Sequence, residues 1–127
     1  MDKVPHRNYL QEARENLEAA NESLKATRCN AATIDAVHCG IDATDSLTVL
    51  MIGVRRAGDR HEDALTLLQT LSPPRDTLRT KSRQLSRLLS VRNASEYEGR
   101  LKNEAEAAEA ARDAQRYLEW VEGHLHG

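Results

Sequence analysis

Residues 34–52, IDAVHCGIDATDSLTVLMI, decide the fold because they have the pattern of a helix that is apolar over most of its circumference. Such a helix is buried among other elements, whereas a surface helix has a single apolar stripe. The apolar positions are Ile34, Val37, Ile41, Leu47, Leu50, Met51 and Ile52. We therefore predict a central helix over about residues 30–53, around which the remaining helices pack.

The segments on both sides of this helix have the pattern of amphipathic helices. Over about residues 6–27, steps of three and four residues separate the apolar positions Leu10, Ala13, Leu17, Ala20 and Leu24. Further helices are predicted over about residues 61–71, 74–92 and 103–124, the last with Asn103 as its N-cap. The fold class is thus all-α, an antiparallel bundle of four long helices plus one short helix, in a single domain of residues 1–127.

Composition narrows the classes of protein that fit the chain. Phe is absent, 39% of the residues are hydrophobic, and no apolar run reaches the roughly 18 residues that cross a bilayer. The N-terminus also lacks a basic-then-apolar leader, so we predict a cytoplasmic protein without a membrane partner. Cys29 and Cys39 have no CxxC spacing, and we interpret them as small, partly buried residues rather than as a disulfide or zinc site.

A basic ridge runs along the helix predicted over residues 74–92. It consists of Arg75, Arg79, Arg83 and Arg87 at successive i,i+4 positions, and the leucines Leu78, Leu85, Leu88 and Leu89 form a separate arc. One interpretation is a solvated face that pairs with the acidic residues of the last helix. The other is phosphate binding, because guanidinium groups spaced about 6 Å apart along a helix can meet successive phosphates.

Two basic residues, Lys81 and Arg92, fall inside the leucine arc and indicate a polar pocket on that face. The central helix offers partners for them, since a polar seam shares one of its faces: Asp35, His38, Asp42 and Asp45. These acids either compensate a buried cation, or are simply exposed to solvent, or bind a divalent metal. The metal is the least favoured alternative because no Glu-x-x-His pair accompanies the seam, and we predict no metal or other cofactor.

The chain resembles the HEPN superfamily, small helical bundles of toxin-antitoxin and defence systems. The resemblance rests on the two long N-terminal helices, on the stretch from Asn30-Ala31-Ala32 to Asp42-Ala43, and on Arg92 followed by the polar Asn93. The family signature is an Arg, usually followed by a polar residue, and then a His after four to six intervening positions. Tyr97 stands where the shortest form of the signature has its His.

The resemblance implies a homodimer and a metal-independent endoribonuclease site at its interface. Arg92 would then stabilise negative charge on the phosphate, Asn93 would support it, and Tyr97 would replace the His. We therefore expect an RNA-binding protein with weak or degenerate nuclease activity, whose partners include RNA and a cognate antitoxin or nucleotidyltransferase. The alternative is a noncatalytic protein-interaction module or an antitoxin that acts through a homodimeric bundle.

Overall fold

A computed structural model describes residues 6–52, 80–90 and 103–126, nearly all of them helical. Helix α1 spans His6–Lys25, α2 spans Cys29–Ile52, the helical residues 80–90 are called α3, and α4 spans Glu104–His126. The predicted ends of α1, α2 and α4 differ from these bounds by at most two residues. The described residues contain no strand, so the all-α class is confirmed. The short helix predicted over residues 61–71 lies outside the described residues.

A three-residue turn joins α1 to α2. At its centre, Thr27 has a left-handed backbone with φ of 57°. The amide of Thr27 donates to the Leu24 carbonyl at 3.0 Å, and the amide of Arg28 donates to the Ser23 carbonyl at 2.8 Å. These bonds form a Schellman motif, which satisfies carbonyls that the end of a helix leaves without partners. The short turn makes α1 and α2 an antiparallel helical hairpin.

All four described helices contribute to the core, and α1, α2 and α4 each contact the other two. The predicted apolar faces are buried in it: Leu10, Ala13 and Ala20 on α1, Val37, Ile41 and Leu47 on α2, and Ala110, Ala114, Tyr117, Leu118 and Val121 on α4. Ile34, predicted as part of the apolar face of α2, is instead 38% exposed, because the first turns of α2 are covered less fully than its middle. The side chains of Leu50, Met51, Ile52, Leu78 and Leu125 lie outside the description.

Helix α3 packs closely on α2 at Gly40. The predicted leucine arc faces inward, with Leu85, Leu88 and Leu89 buried in the core. A Cβ built at Gly40 would lie 3.0 Å from Leu88 Cδ1 and 3.4 Å from Leu85 Cδ1. The missing side chain therefore gives these two leucines room against the α2 backbone.

The start of α4 confirms the predicted cap. Asn103 Oδ1 accepts a hydrogen bond from the Glu106 amide at 2.8 Å, and Glu106 Oε1 accepts one from the Asn103 amide at 3.2 Å. This reciprocal pair is a capping box with Asn in the place of Ser or Thr. Between the described helices, Asn16 Nδ2 donates to Asp42 Oδ2 at 2.7 Å, and Arg14 pairs with Glu122 at 2.7 Å. No described helix is both long enough and apolar enough to span a bilayer.

Candidate functional site

The structure describes two arginines of the basic ridge, and they have different surroundings. Arg83 is exposed on the outer side of α3. Arg87 reaches across to α4, where Nη2 donates to Asp113 Oδ1 at 2.9 Å and Nε donates to Asp113 Oδ2 at 3.2 Å. Arg75 and Arg79 lie outside the described residues. Within α3 the ridge therefore has a solvent-facing part at Arg83 and an interhelical part at Arg87.

The Arg87–Asp113 pair is a bidentate ion pair at the edge of the core. The Asp113 side chain is only 10% exposed, whereas the Arg87 side chain is 50% exposed. The hydrogen bonds to Asp113 raise the pKa of Arg87, so the guanidinium remains charged. Pairing between the ridge and the acidic last helix was one of the two interpretations of the sequence, and for Arg87 it is confirmed.

A groove of about 290 Å³ lies beside this pair, between α3 and α4. Its floor is apolar, since Leu88 and Ala110 are both nearly fully buried. The other described lining residues are polar: Ser86, Arg87 and Ser90 on α3, and Glu106, Glu109 and Asp113 on α4. Among the described residues, three carboxylates and one guanidinium thus border the apolar floor.

Lys81 lies on α3, close to residues of α4, and it is half-buried. Its Nζ donates to Gln84 Oε1 at 3.0 Å. Partial burial lowers the pKa of Lys81, as does the nearby Arg116, while Glu119 and Asp113 oppose this change. Gln84 is buried, and sequence analysis did not predict this. Only Lys81 and Arg92 were expected as polar residues within the leucine arc. The groups described around Lys81 belong to α3 and α4, not to the polar seam of α2.

The polar seam of α2 divides between two neighbouring helices. Asp42 accepts its bond from Asn16 on α1, while Asp45 lies close enough to Tyr117 on α4 to affect its titration. The interpretation that the seam is simply exposed to solvent is wrong for Asp45, which is 2% exposed. Asp35 is half-buried, and this burial raises its pKa against the opposing effect of His38. In the described parts of the chain, no group of three His, Cys, Asp or Glu side chains is arranged to hold a metal ion.

A buried hydroxyl pair connects α2 to α4, and sequence analysis did not predict it. Thr44 Oγ1 lies 2.6 Å from the hydroxyl oxygen of Tyr117, and the Thr44 hydroxyl also donates to the Gly40 carbonyl at 2.8 Å. Since Thr has one hydroxyl hydrogen, Tyr117 is the donor to Thr44. Burial raises the pKa of Tyr117 well above its usual range, and it raises the pKa of the neighbouring Cys39 to about 12.

No protein-family model and no curated protein matches this sequence. Solved structures do resemble it. TT1696 from Thermus thermophilus has a TM-score of 0.73 at 24% identity, over 93% of this chain and 96% of that one. ST0689, an archaeal HEPN homologue, has a TM-score of 0.72 at 21% identity, over 95% of this chain and 98% of that one. The chain has a HEPN-like fold.

In this HEPN-like chain, the residues that resemble the family signature come shortly after the described part of α3 in sequence. Arg92, Asn93 and Tyr97 lie outside the described residues, and their roles stay predictions. The last described residue of α3 is Ser90, two positions before Arg92. The groove beside Arg87, which Ser90 also lines, is therefore close in sequence to the predicted site.

Proposed function

We propose that this HEPN-like protein binds RNA as a homodimer in a toxin-antitoxin or defence system, with endoribonuclease activity that is weak or lost. The observation that carries the proposal is the likeness to an archaeal HEPN homologue over nearly the whole chain. The Arg92-Asn93 pair supports it, since it matches the opening of the family signature.

In this proposal Arg75, Arg79 and Arg83 bind phosphate groups of the RNA, and Arg87 does not. Arg83 is exposed and carries its charge on the outer side of α3. Arg87 already gives two hydrogen bonds to Asp113, and Glu109 lies close enough to act on it electrostatically. A phosphate at Arg87 would compete with this carboxylate and approach a second one, so the favourable contacts lie toward the start of the ridge.

The salt dependence of RNA binding tests this assignment. Each phosphate contact to single-stranded RNA contributes about −0.7 to the slope of log K against log salt, which predicts about −2 for three arginines. Arg83→Gln should reduce the magnitude of the slope by about 0.7. Arg87→Gln should leave it unchanged, and so should Arg112→Gln, the matched control on the exposed side of α4. Binding that does not respond to salt, or that loses as much with the control, would refute the phosphate assignment.

Catalysis by the predicted motif requires Arg92 to stabilise charge on the phosphate and a second group to move protons. A phenol has a reference pKa near 10 and imidazole one near 6.5, so Tyr97 is a poor proton acceptor at neutral pH. We expect slow cleavage of single-stranded RNA in EDTA that Arg92→Ala abolishes and Tyr97→His accelerates. Arg83→Gln separates the two functions, because it should weaken binding without abolishing cleavage at saturating RNA. Cleavage that survives Arg92→Ala would point to a contaminating nuclease.

The homodimer has its own test. Sedimentation at working concentration should give a mass of about twice 14.2 kDa. A strictly monomeric protein would exclude a site composed by two copies, although RNA binding by the ridge would remain testable.

A noncatalytic interaction module, including an antitoxin, is the second candidate. The Arg87–Asp113 ion pair favours it, because one of the four ridge arginines has an intramolecular partner and is not offered to phosphate. RNA binding separates the two proposals. If no RNA binds at low salt and Tyr97→His gives no cleavage, the interaction module is the better explanation.

A further inference from the structure

We propose that a groove between α1 and α4 binds helix α1 of a second copy of this chain in an antiparallel arrangement. The groove has about 460 Å³ of space, and the half-buried Leu17 and the buried Leu118 form its apolar floor. The other described lining residues are polar or charged: Arg14, Glu18, Asn21, Glu22 and Lys25 on α1, and Glu122 on α4. Because these residues belong to α1 and α4, the contact is separate from the site predicted after α3, and it does not depend on RNA binding.

Two charges of the groove are open to an external partner. Arg14 and Glu122 neutralise each other through an ion pair of 2.7 Å that joins α1 to α4. The exposed Glu18 and Lys25 make no hydrogen bond or ion pair through their side chains with any other described residue. They are seven residues apart, about two helical turns, so they lie on the same face of α1. This face therefore offers one negative and one positive charge to a partner.

A second copy of α1 has the matching charges when it runs in the opposite direction. Glu18 comes three residues before Asn21, and Lys25 comes four residues after it. A two-fold axis beside Asn21 brings each Glu18 opposite Lys25 of the other copy, so one contact contains two ion pairs. A parallel arrangement places Glu18 beside Glu18 and Lys25 beside Lys25, and these like charges repel. The charges of this face therefore favour the antiparallel direction.

The uncharged residues of the face fit the same arrangement. The two exposed Asn21 side chains meet at the axis, where each amide can both donate and accept a hydrogen bond. Leu17 comes four residues before Asn21 and Leu24 three residues after it, and both are half-buried, so each Leu17 comes opposite Leu24 of the other copy. Glu22 lies about 140° from Leu17 around the helix. Its carboxylate is thus at the outer edge of the groove and stays in solvent.

The size of the face indicates a weak contact. From Arg14 to Lys25 it measures about 17 Å along the helix axis, since each residue adds about 1.5 Å. A face of this length buries less than the roughly 1,200 Å² of a stable complex, and exposed ion pairs add little to the affinity. We therefore expect association only at about 100 µM protein or above, and at lower concentrations the homodimer proposed above is measured by itself.

Sedimentation of the full chain from about 10 µM to about 1 mM at low salt tests the contact. The mass should double over this range, from dimer to tetramer, or from monomer to dimer if the homodimer proposed above does not form. Glu18→Lys should weaken the association about tenfold, because symmetry replaces two ion pairs by two pairs of like charges. Lys25→Glu should weaken it to a similar extent. Glu12→Lys is the matched control, since it makes the same charge change at an exposed position on the opposite side of α1, and it should leave the association unchanged.

Combining the two variants gives the sharpest result. The double variant Glu18→Lys/Lys25→Glu exchanges the two charges, so it should associate as strongly as the wild type. An equal mixture of the two single variants should also associate, because the face of one variant is then basic and the face of the other is acidic. Recovery in either case shows that the single variants lost a specific contact and not their fold. Circular dichroism should give the same helix content for all variants, since the substituted positions are exposed.

Three outcomes overturn the inference. A mass that stays constant up to about 1 mM excludes a second copy from the groove and leaves a helix of another protein as its occupant. Association that Glu18→Lys leaves unchanged, or that the control weakens equally, places the contact on another face. Weakening by both single variants without recovery in the double variant or the mixture would show that Glu18 and Lys25 do not face each other. None of these outcomes affects RNA binding, which Arg83→Gln tests separately.

Discussion

The buried hydroxyl pair between Thr44 and Tyr117 predicts an unequal response to two conservative substitutions. Thr44→Val preserves the shape of the side chain, but it leaves the hydroxyl of the fully buried Tyr117 without its acceptor. Stranding a buried donor costs about 2 kcal/mol of stability. Tyr117→Phe leaves the Thr44 hydroxyl bonded to the Gly40 carbonyl, so it should cost only about 1 kcal/mol.

The double variant gives the sharper result. Replacing both partners by apolar groups of similar shape removes the stranded donor, so the double variant should be no less stable than Thr44→Val alone. The stability cost of the double variant would then be smaller than the sum of the two single costs by about 1 kcal/mol or more. Independent sites deviate from additivity by only roughly 0.5 kcal/mol. Urea unfolding followed by circular dichroism at pH 7 measures all four free energies.

Thr33→Val provides the matched control in the same helix. Thr33 is also fully buried, but the one partner of its hydroxyl among the described residues is the Cys29 carbonyl four residues earlier, at 2.9 Å. Its cost should add to that of Tyr117→Phe. Additive costs for Thr44→Val and Tyr117→Phe, or a larger cost for Tyr117→Phe, would refute the donor assignment.

The described geometry leads to four further experiments. Thr27→Gly relieves a left-handed backbone and should stabilise the protein by about 1 kcal/mol, seen as a thermal midpoint higher by roughly 3 °C; an unchanged or lower midpoint contradicts this. Gly40→Val should destabilise by about 2 kcal/mol, because even its Cβ lies 3.0 Å from Leu88 Cδ1; stability equal to wild type would refute this close packing. Cys39 should resist iodoacetamide at pH 8 while Cys29 reacts, since burial raises the Cys39 pKa to about 12. The same shift implies that Cys39 contributes stability that is fully present below about pH 9 and is lost as the pH rises toward 12. Cys39→Ala should reduce the alkaline loss of stability in urea unfolding, and Tyr117, whose pKa burial also raises, should account for the loss that remains.

The helices were predictable because their signals are local. The spacing of apolar residues defines the faces of α1 and α4, and the Asn103 cap is visible as an Asn followed three residues later by Glu106. The end of α1 was less predictable, since Thr27 occupies a left-handed position where Gly is usual. A β-branched residue there gives no sequence signal for the turn.

The contacts around the candidate site were only partly predictable, because they depend on which helices become neighbours. A basic ridge and an acidic last helix indicated that some pairing would occur, but not that Arg87 would select Asp113. The seam of α2 was predicted as one polar face, whereas the structure assigns Asp42 to α1 and Asp45 to the surroundings of Tyr117. A helical wheel gives the angle of a residue on its own helix and contains no information about the helix that covers it.

The packing at Gly40 affects the position of a charged side chain on the surface. Leu85 and Leu88 rest against α2 at this position, which fixes how far α3 can slide along its neighbour. Arg87 lies between these leucines in sequence, so the same packing sets the height at which its guanidinium meets Asp113. Gly40, which has neither a side chain nor a charge, thereby influences where the Arg87–Asp113 ion pair forms.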